Sequence, residues 1–156
     1  RTLVVHGNYL AEDELDYLAS NRQMTLVYCP RTHAWFQHEP HPWRDLLSRG
    51  GRVVLGTDGR GSNPDLSIFR EAQFLAAHQK EVNPSRLFGM LTADAALALS
   101  GSAADYGRIS PGSRADLTFI SLGPGEDLFE RMFHPEATPV GTMVGGRWLV
   151  SPPSLG

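Results

Sequence analysis

Three short apolar runs in this sequence each end on side chains able to ligate a divalent metal or carry a proton. Leu3-Val4-Val5 runs into His6-Gly7, Met24 to Tyr28 into Cys29-Pro30-Arg31-Thr32-His33, and Val53-Val54-Leu55 into Gly56-Thr57-Asp58-Gly59. Histidine and aspartate suit both tasks. The glycines around Asp58 let backbone and substrate approach closely. Taken singly, these residues decide little. A lone histidine at a strand end serves as a loop hydrogen-bonder, Asp58-Gly59 is an ordinary turn dipeptide, and Cys29 is by default a small buried hydrophobe. His33, His38 and His41 invite a zinc reading, but Pro40 and Pro42 argue against a helical ligand pair, so His38 and His41 read as bystanders in a Pro-rich surface loop. Gly59-Arg60-Gly61 matches neither the phosphate-loop nor the dinucleotide fingerprint. The weight lies in the joint placement of His6, the Cys29 to His33 loop and Asp58 after three successive strands, since parallel α/β folds gather functional residues at the carboxyl ends of their strands.

The elements that must position them alternate. After the first run, Ala11, Leu15, Leu18 and Ala19 recur at helical spacing, with Glu12, Asp13 and Glu14 in a first turn whose dipole favours anions. The second run leads into a long loop and a short helix from Trp43 to Ser48, stopped by Gly50-Gly51. After the third run, Asn63-Pro64 reads as a cap and first helical position for a helix to about Gln79, and Asn83-Pro84 repeats the device. Thr92 opens a further helix that Gly101 ends. The pattern then changes to strands: Leu117 to Ile120, and two runs flanking the hairpin dipeptide Gly145-Gly146. A boundary is therefore expected near residue 103, dividing the chain into 1–103 and 104–156. The strand–helix rhythm predicts a parallel α/β sheet, either a doubly wound open sheet or part of a (β/α)8 barrel. A complete barrel takes about 250 residues, so three of its units fit here and eight do not.

Composition bounds the partners. The chain has 156 residues, 41% of them apolar and 20% charged, enough to build a core. With a net charge of −3 and no Lys/Arg block, neither nucleic acid nor an anionic membrane is an expected partner. No apolar run approaches the roughly 20 residues that span a bilayer. One cysteine cannot build a disulfide framework, which fits a cytoplasmic protein.

In their order, these segments resemble the amidohydrolase superfamily, closest to its branch of cytosine, guanine and S-adenosylhomocysteine deaminases and triazine chlorohydrolases. Leu3 to Gly7 resembles the sixth barrel strand, Val27 to His33 the seventh-strand loop, and Val54 to Gly59 with Ser62, Asn63 and Leu66 the eighth. Gly107 to Leu117 resembles the return into a small β-sandwich, and Val144 to Val150 the terminal hairpin. The resemblance implies a C-terminal portion of a metal-dependent hydrolase: barrel strands 6–8 plus part of a sandwich domain. It implies Asp58 as metal ligand and proton shuttle, with His6 polarising the substrate or serving as a second ligand. Cys29, Arg31, His33 and Asn63 would bind substrate, with Arg31 and His33 lining the pocket. The implied cofactor is zinc or iron, and the implied reaction is hydrolysis of a C–N bond in a small purine- or pyrimidine-like molecule. The family's first-strand His-x-His pair and its fifth-strand His, often followed by Glu, have no counterpart in these 156 residues. The chain is therefore expected to be incomplete and inactive alone, to pair with an N-terminal part of the same enzyme, and to form a homo-oligomer. A non-catalytic α/β scaffold and a nucleotide-binding module are the alternatives.

Overall fold

The computed structural model describes residues 1–79, 81–101 and 106–153; the boundary expected at 103/104 lies outside them. Strands β1 (Thr2–Val5), β2 (Met24–Tyr28) and β3 (Val53–Leu55) form a parallel sheet in sequential order. The first connection is helix α1 (Glu12–Ser20), and the second carries two short helices, α2 (Pro30–Trp35) and α3 (Trp43–Ser48). Helix α2 occupies what reads in sequence as loop; Pro30 sits in its first turn, where a missing N–H costs nothing.

Register explains which strand residues are buried. Val4 pairs with Leu26, Leu26 with Val53, and Tyr28 with Leu55. Alternation puts these on one face, where they meet Leu15, Leu18, Leu46, Leu75, Leu87 and Met90 in a single apolar cluster. Each such fully buried Leu or Met contributes about 1.5–3 kcal/mol of hydrophobic stabilisation. The opposite face is unevenly covered. Val54 is buried there, but Leu3 and Val5 at the β1 edge are 42% and 51% exposed.

Helices α4 (Ile68–His78), α5 (Pro84–Leu91) and α6 (Ala93–Ser100) follow. The start of α4 differs from expectation. Its cap is Ser67, whose hydroxyl accepts from the Arg70 N–H, and Asn63-Pro64 lies in the preceding loop. Asn83 does cap α5. Strands β4 (Leu117–Ser121), β5 (Thr138–Val144) and β6 (Arg147–Val150) form an antiparallel sheet, with helix α7 (Leu128–Phe133) between β4 and β5. Gly145 and Gly146 both have positive φ, the left-handed pair that a two-residue hairpin requires. Helix α7 ties this half to the first: Phe133 lies against Phe69 of α4, and Phe129 against Phe88 of α5. Among the described residues no helix is long and apolar enough to cross a membrane.

Candidate active site

His6 and Asp58 come together at the carboxyl ends of β1 and β3, and both do so through left-handed backbone. His6 has φ +68° and Asp58 φ +58°, a conformation that costs a non-glycine residue roughly 1–3 kcal/mol and concentrates at functional positions. The turn after His6 also needs Gly7, at φ +64°, where an added Cβ would sit 2.7 Å from Leu26 Cδ1. The outcome is that His6 Nε2 lies 3.8 Å from Asp58 Oδ1, with both side chains partly open to solvent. That separation is too long for a hydrogen bond and leaves both atoms able to act on a third group.

The second carboxylate oxygen of Asp58 is fixed. Ser62 Oγ donates to Asp58 Oδ2 at 2.7 Å, and Thr32 Oγ1 lies 3.0 Å from Ser62 Oγ. With the serine proton committed to Asp58, Thr32 is the donor of that second bond. The carboxylate is thus held at one oxygen and free at the other.

A cavity of about 220 Å3 opens over the pair, walled by Asn8, Thr32, His33, Phe36 and His38 as well as His6 and Asp58. His33 Nε2 lies 2.9 Å from the Glu39 carbonyl, and burial lowers its pKa below the usual imidazole value. His38 Nδ1 is 2.9 Å from the Tyr9 hydroxyl. His41 lies behind the wall, its Nε2 2.7 Å from the His6 carbonyl, with a pKa lowered to about 4 by burial. His38 and His41 are therefore not surface bystanders. Their loop folds back over the strand ends, a return that sequence does not reveal. A second cavity, about 180 Å3 between Leu18, Met24, Arg52 and Arg86, lies at the amino ends of the strands, away from the chemistry.

Three other expected residues sit elsewhere. Arg31 does not line the cavity. Its backbone N–H and Nε donate to Glu71 at 2.9 and 2.5 Å, and its guanidinium grips Asp65 at 2.6 and 3.1 Å. Asn63 is buried in the same network, accepting from Arg31 at 3.0 Å and donating to Glu71 at 2.6 Å. These contacts tie the Asp58 loop to α2 and α4, so the placement of Arg31 in the pocket wall is corrected to a brace beneath it. Asp65, paired with Arg31, is lowered to about 2. Cys29 is 2% exposed, and burial raises its thiol to about 11. It packs under Gly56, where a Cβ would meet Val27 Cγ1 at 2.6 Å and Cys29 Sγ at 3.0 Å. Glu71, fully buried on α4, was not foreseen, and nothing local to its helix reveals it. Ser62 had a signal: a hydroxyl four residues after Asp58 in a glycine-rich turn.

Among the described residues no three His, Cys, Asp or Glu side chains converge to hold a metal ion. His6 and Asp58 nonetheless supply two donors of the kind zinc takes, with free atoms facing one cavity.

Residues 1–149 match the family model described as the amidohydrolase family. A 5-methylthioadenosine/S-adenosylhomocysteine deaminase of Haloarcula marismortui is 34% identical over 143 residues, 84% of this chain and 32% of its own length. A 5'-deoxyadenosine deaminase of Methanothermobacter thermautotrophicus is 35% identical over 129 residues, 78% of this chain and 29% of its own. The chain thus spans about a third of the length of these curated relatives. Among solved structures, a zinc-bound adenosine deaminase of Xanthomonas campestris superposes with a TM-score of 0.79 at 23% identity, over 95% of this chain and 36% of that one. A zinc complex of atrazine chlorohydrolase from Arthrobacter aurescens TC1 gives 0.78 at 18% identity, over 99% and 37%. At these identities the two structures speak for a TIM-barrel-related hydrolase fold.

Proposed function

This chain belongs to the amidohydrolase family, and from that premise we propose that it is the carboxyl-terminal part of a hydrolytic deaminase acting on an adenosine-like molecule. The observation that carries the reading is the convergence of His6 Nε2 and Asp58 Oδ1 at 3.8 Å across a cavity at the strand ends. The deaminases among its relatives supply the substrate class.

In this reading residues 1–103 are barrel strands six to eight with their helices, and residues 104–156 are part of a sandwich domain. Sequential strand order supports a barrel segment over a doubly wound sheet, which needs a reversal of order. The exposed Leu3 and Val5 support it as well, since parallel sheets are normally covered on both faces. The remaining strands of the barrel, carried by the rest of the polypeptide, would cover them.

His6 and Asp58 would hold a divalent metal together with donors from those strands. When bound, the metal supplies Lewis acidity and makes water a competent nucleophile near neutral pH. Asp58 accepts a proton from the attacking water at Oδ1, while Ser62 keeps the carboxylate from turning. A C–O bond forms at the amino-bearing ring carbon, the C–N bond breaks, and the proton leaves on ammonia. Where Asp58 and the donors of the other strands hold the metal without His6, His6 Nε2 is free instead to orient the water or the ring nitrogen beside it. His33, His38 and Phe36 offer flat walls to a planar base.

The experiment is ammonia release by the intact polypeptide from adenosine, 5'-deoxyadenosine, 5-methylthioadenosine, S-adenosylhomocysteine, guanine and cytosine. Turnover of the adenosine set is the expected result. Release from none of the six would refute the deaminase reading.

A further inference from the structure

We infer that His41 is a positioning residue for His6: its imidazole holds the His6 carbonyl and so keeps the His6 side chain turned into the cavity. This rests on the hydrolytic role proposed for the His6–Asp58 pair.

His6 leaves β1 at φ +68°, a region that L-residues other than glycine enter only at a cost. Its backbone is gripped from both sides. The His6 N–H donates to the Val27 carbonyl at 3.0 Å, continuing the β1–β2 ladder by one rung. Its own carbonyl, turned off the ladder by the left-handed bend, lies 2.7 Å from His41 Nε2.

The tautomer follows from two independent contacts. A carbonyl only accepts, so His41 Nε2 carries the proton. The Trp43 backbone N–H donates to His41 Nδ1 at 3.0 Å, so that nitrogen is bare. Both bonds use one neutral form of the ring. The ring is also fixed in place. It lies against Tyr28 with centroids 4.2 Å apart, and Trp43 stacks on the same Tyr28 at 5.7 Å. Pro40 and Pro42 flank His41 and restrict the backbone that presents it. His41 is not part of the cavity wall, so any effect it has on turnover passes through His6.

The test compares His41→Gln with His41→Asn in the intact enzyme. A glutamine amide reaches as far as Nε2 and can still donate to the His6 carbonyl. An asparagine amide ends at the level of Nδ1 and can serve only Trp43. The expected result is a loss in kcat of about 10–100-fold for His41→Asn, the range for removing an outer partner of a site residue. KM should change little, and His41→Gln should recover most of the loss. Equal losses in the two variants, or none in either, overturn the inference. A crystal structure of the His41→Asn variant judges it without reference to turnover. Movement of His6 out of the left-handed region supports the clamp, and an unmoved His6 overturns it. Absence of ammonia release by the wild-type enzyme would refute the deaminase reading alone.

Discussion

Removing Glu71 should cost far more stability than removing Asp65, although both carboxylates bind the same guanidinium. The Glu71 side chain is fully buried, whereas that of Asp65 is 44% exposed. Glu71 accepts from the Arg31 N–H, from Arg31 Nε and from the Asn63 amide. Truncation to alanine strands three donors in a place water does not reach. Breaking one side of a buried ion pair costs about 3–5 kcal/mol. The value should fall near the lower end, because Arg31 keeps Asp65. An exposed pair is worth about 0–1 kcal/mol, so Asp65→Ala should fall there. Domain stability is about 5–15 kcal/mol in total, so the Glu71 loss is a large fraction of it. Urea unfolding followed by fluorescence reads both variants; Trp43, 3% exposed beside Tyr28, is well placed to report it. If Glu71→Ala proves too unstable to purify, Arg31→Met with Glu71→Leu removes both charges. That pair should recover only the share of the loss due to the unpaired guanidinium, since the Arg31 N–H and the Asn63 amide still lack their acceptor. A Glu71→Ala loss below about 1 kcal/mol, or equal losses at Glu71 and Asp65, would refute the brace.

Three further outcomes follow from single contacts. Gly7→Ala meets Leu26 Cδ1 at 2.7 Å and must hold φ +64°, so it should destabilise by about 1–3 kcal/mol, read as a lower urea midpoint. Burial raises the Cys29 thiol from 9.0 to about 11. Its contribution is fully present below pH 9.0 and lost as pH rises to about 11, because the unfolded thiol ionises first. Cys29→Ala should therefore flatten that part of the stability profile, and iodoacetamide should label native Cys29 at pH 8 far more slowly than the unfolded chain. His38→Ala, in the cavity wall, should raise KM with little change in kcat, which steady-state kinetics will separate.

Much of the fold is legible in the residues. Apolar β-branched runs marked β1, β2 and β3, and two glycines marked the last hairpin, because both signals are local. Helix α2 was not legible: Pro30 to Trp35 has no apolar period, and its first turn is anchored by Glu71, which accepts the Arg31 N–H from 40 residues away. The start of α4 was misplaced for a related reason. Asn63 has a cap's chemistry, but its amide is taken by Arg31 and Glu71, and Ser67 does the capping. The pairing of His6 with Asp58 could be read from position alone, as each ends a parallel strand. The company of His38 and the grip of His41 could not, since both depend on a proline-bounded loop folding back across 35 residues of sequence.

The most direct test of the proposed hydrolytic centre is kcat of the intact polypeptide carrying Asp58→Asn, measured as ammonia release from the best of the proposed adenosine-like substrates. Circular dichroism should first establish that the variant is folded. Asparagine preserves the shape and can still accept from Ser62, but it takes no proton at Oδ1. Loss of a general base costs about 10²–10⁴-fold, and the account predicts a loss at least that large. Near-normal turnover by folded Asp58→Asn would contradict it.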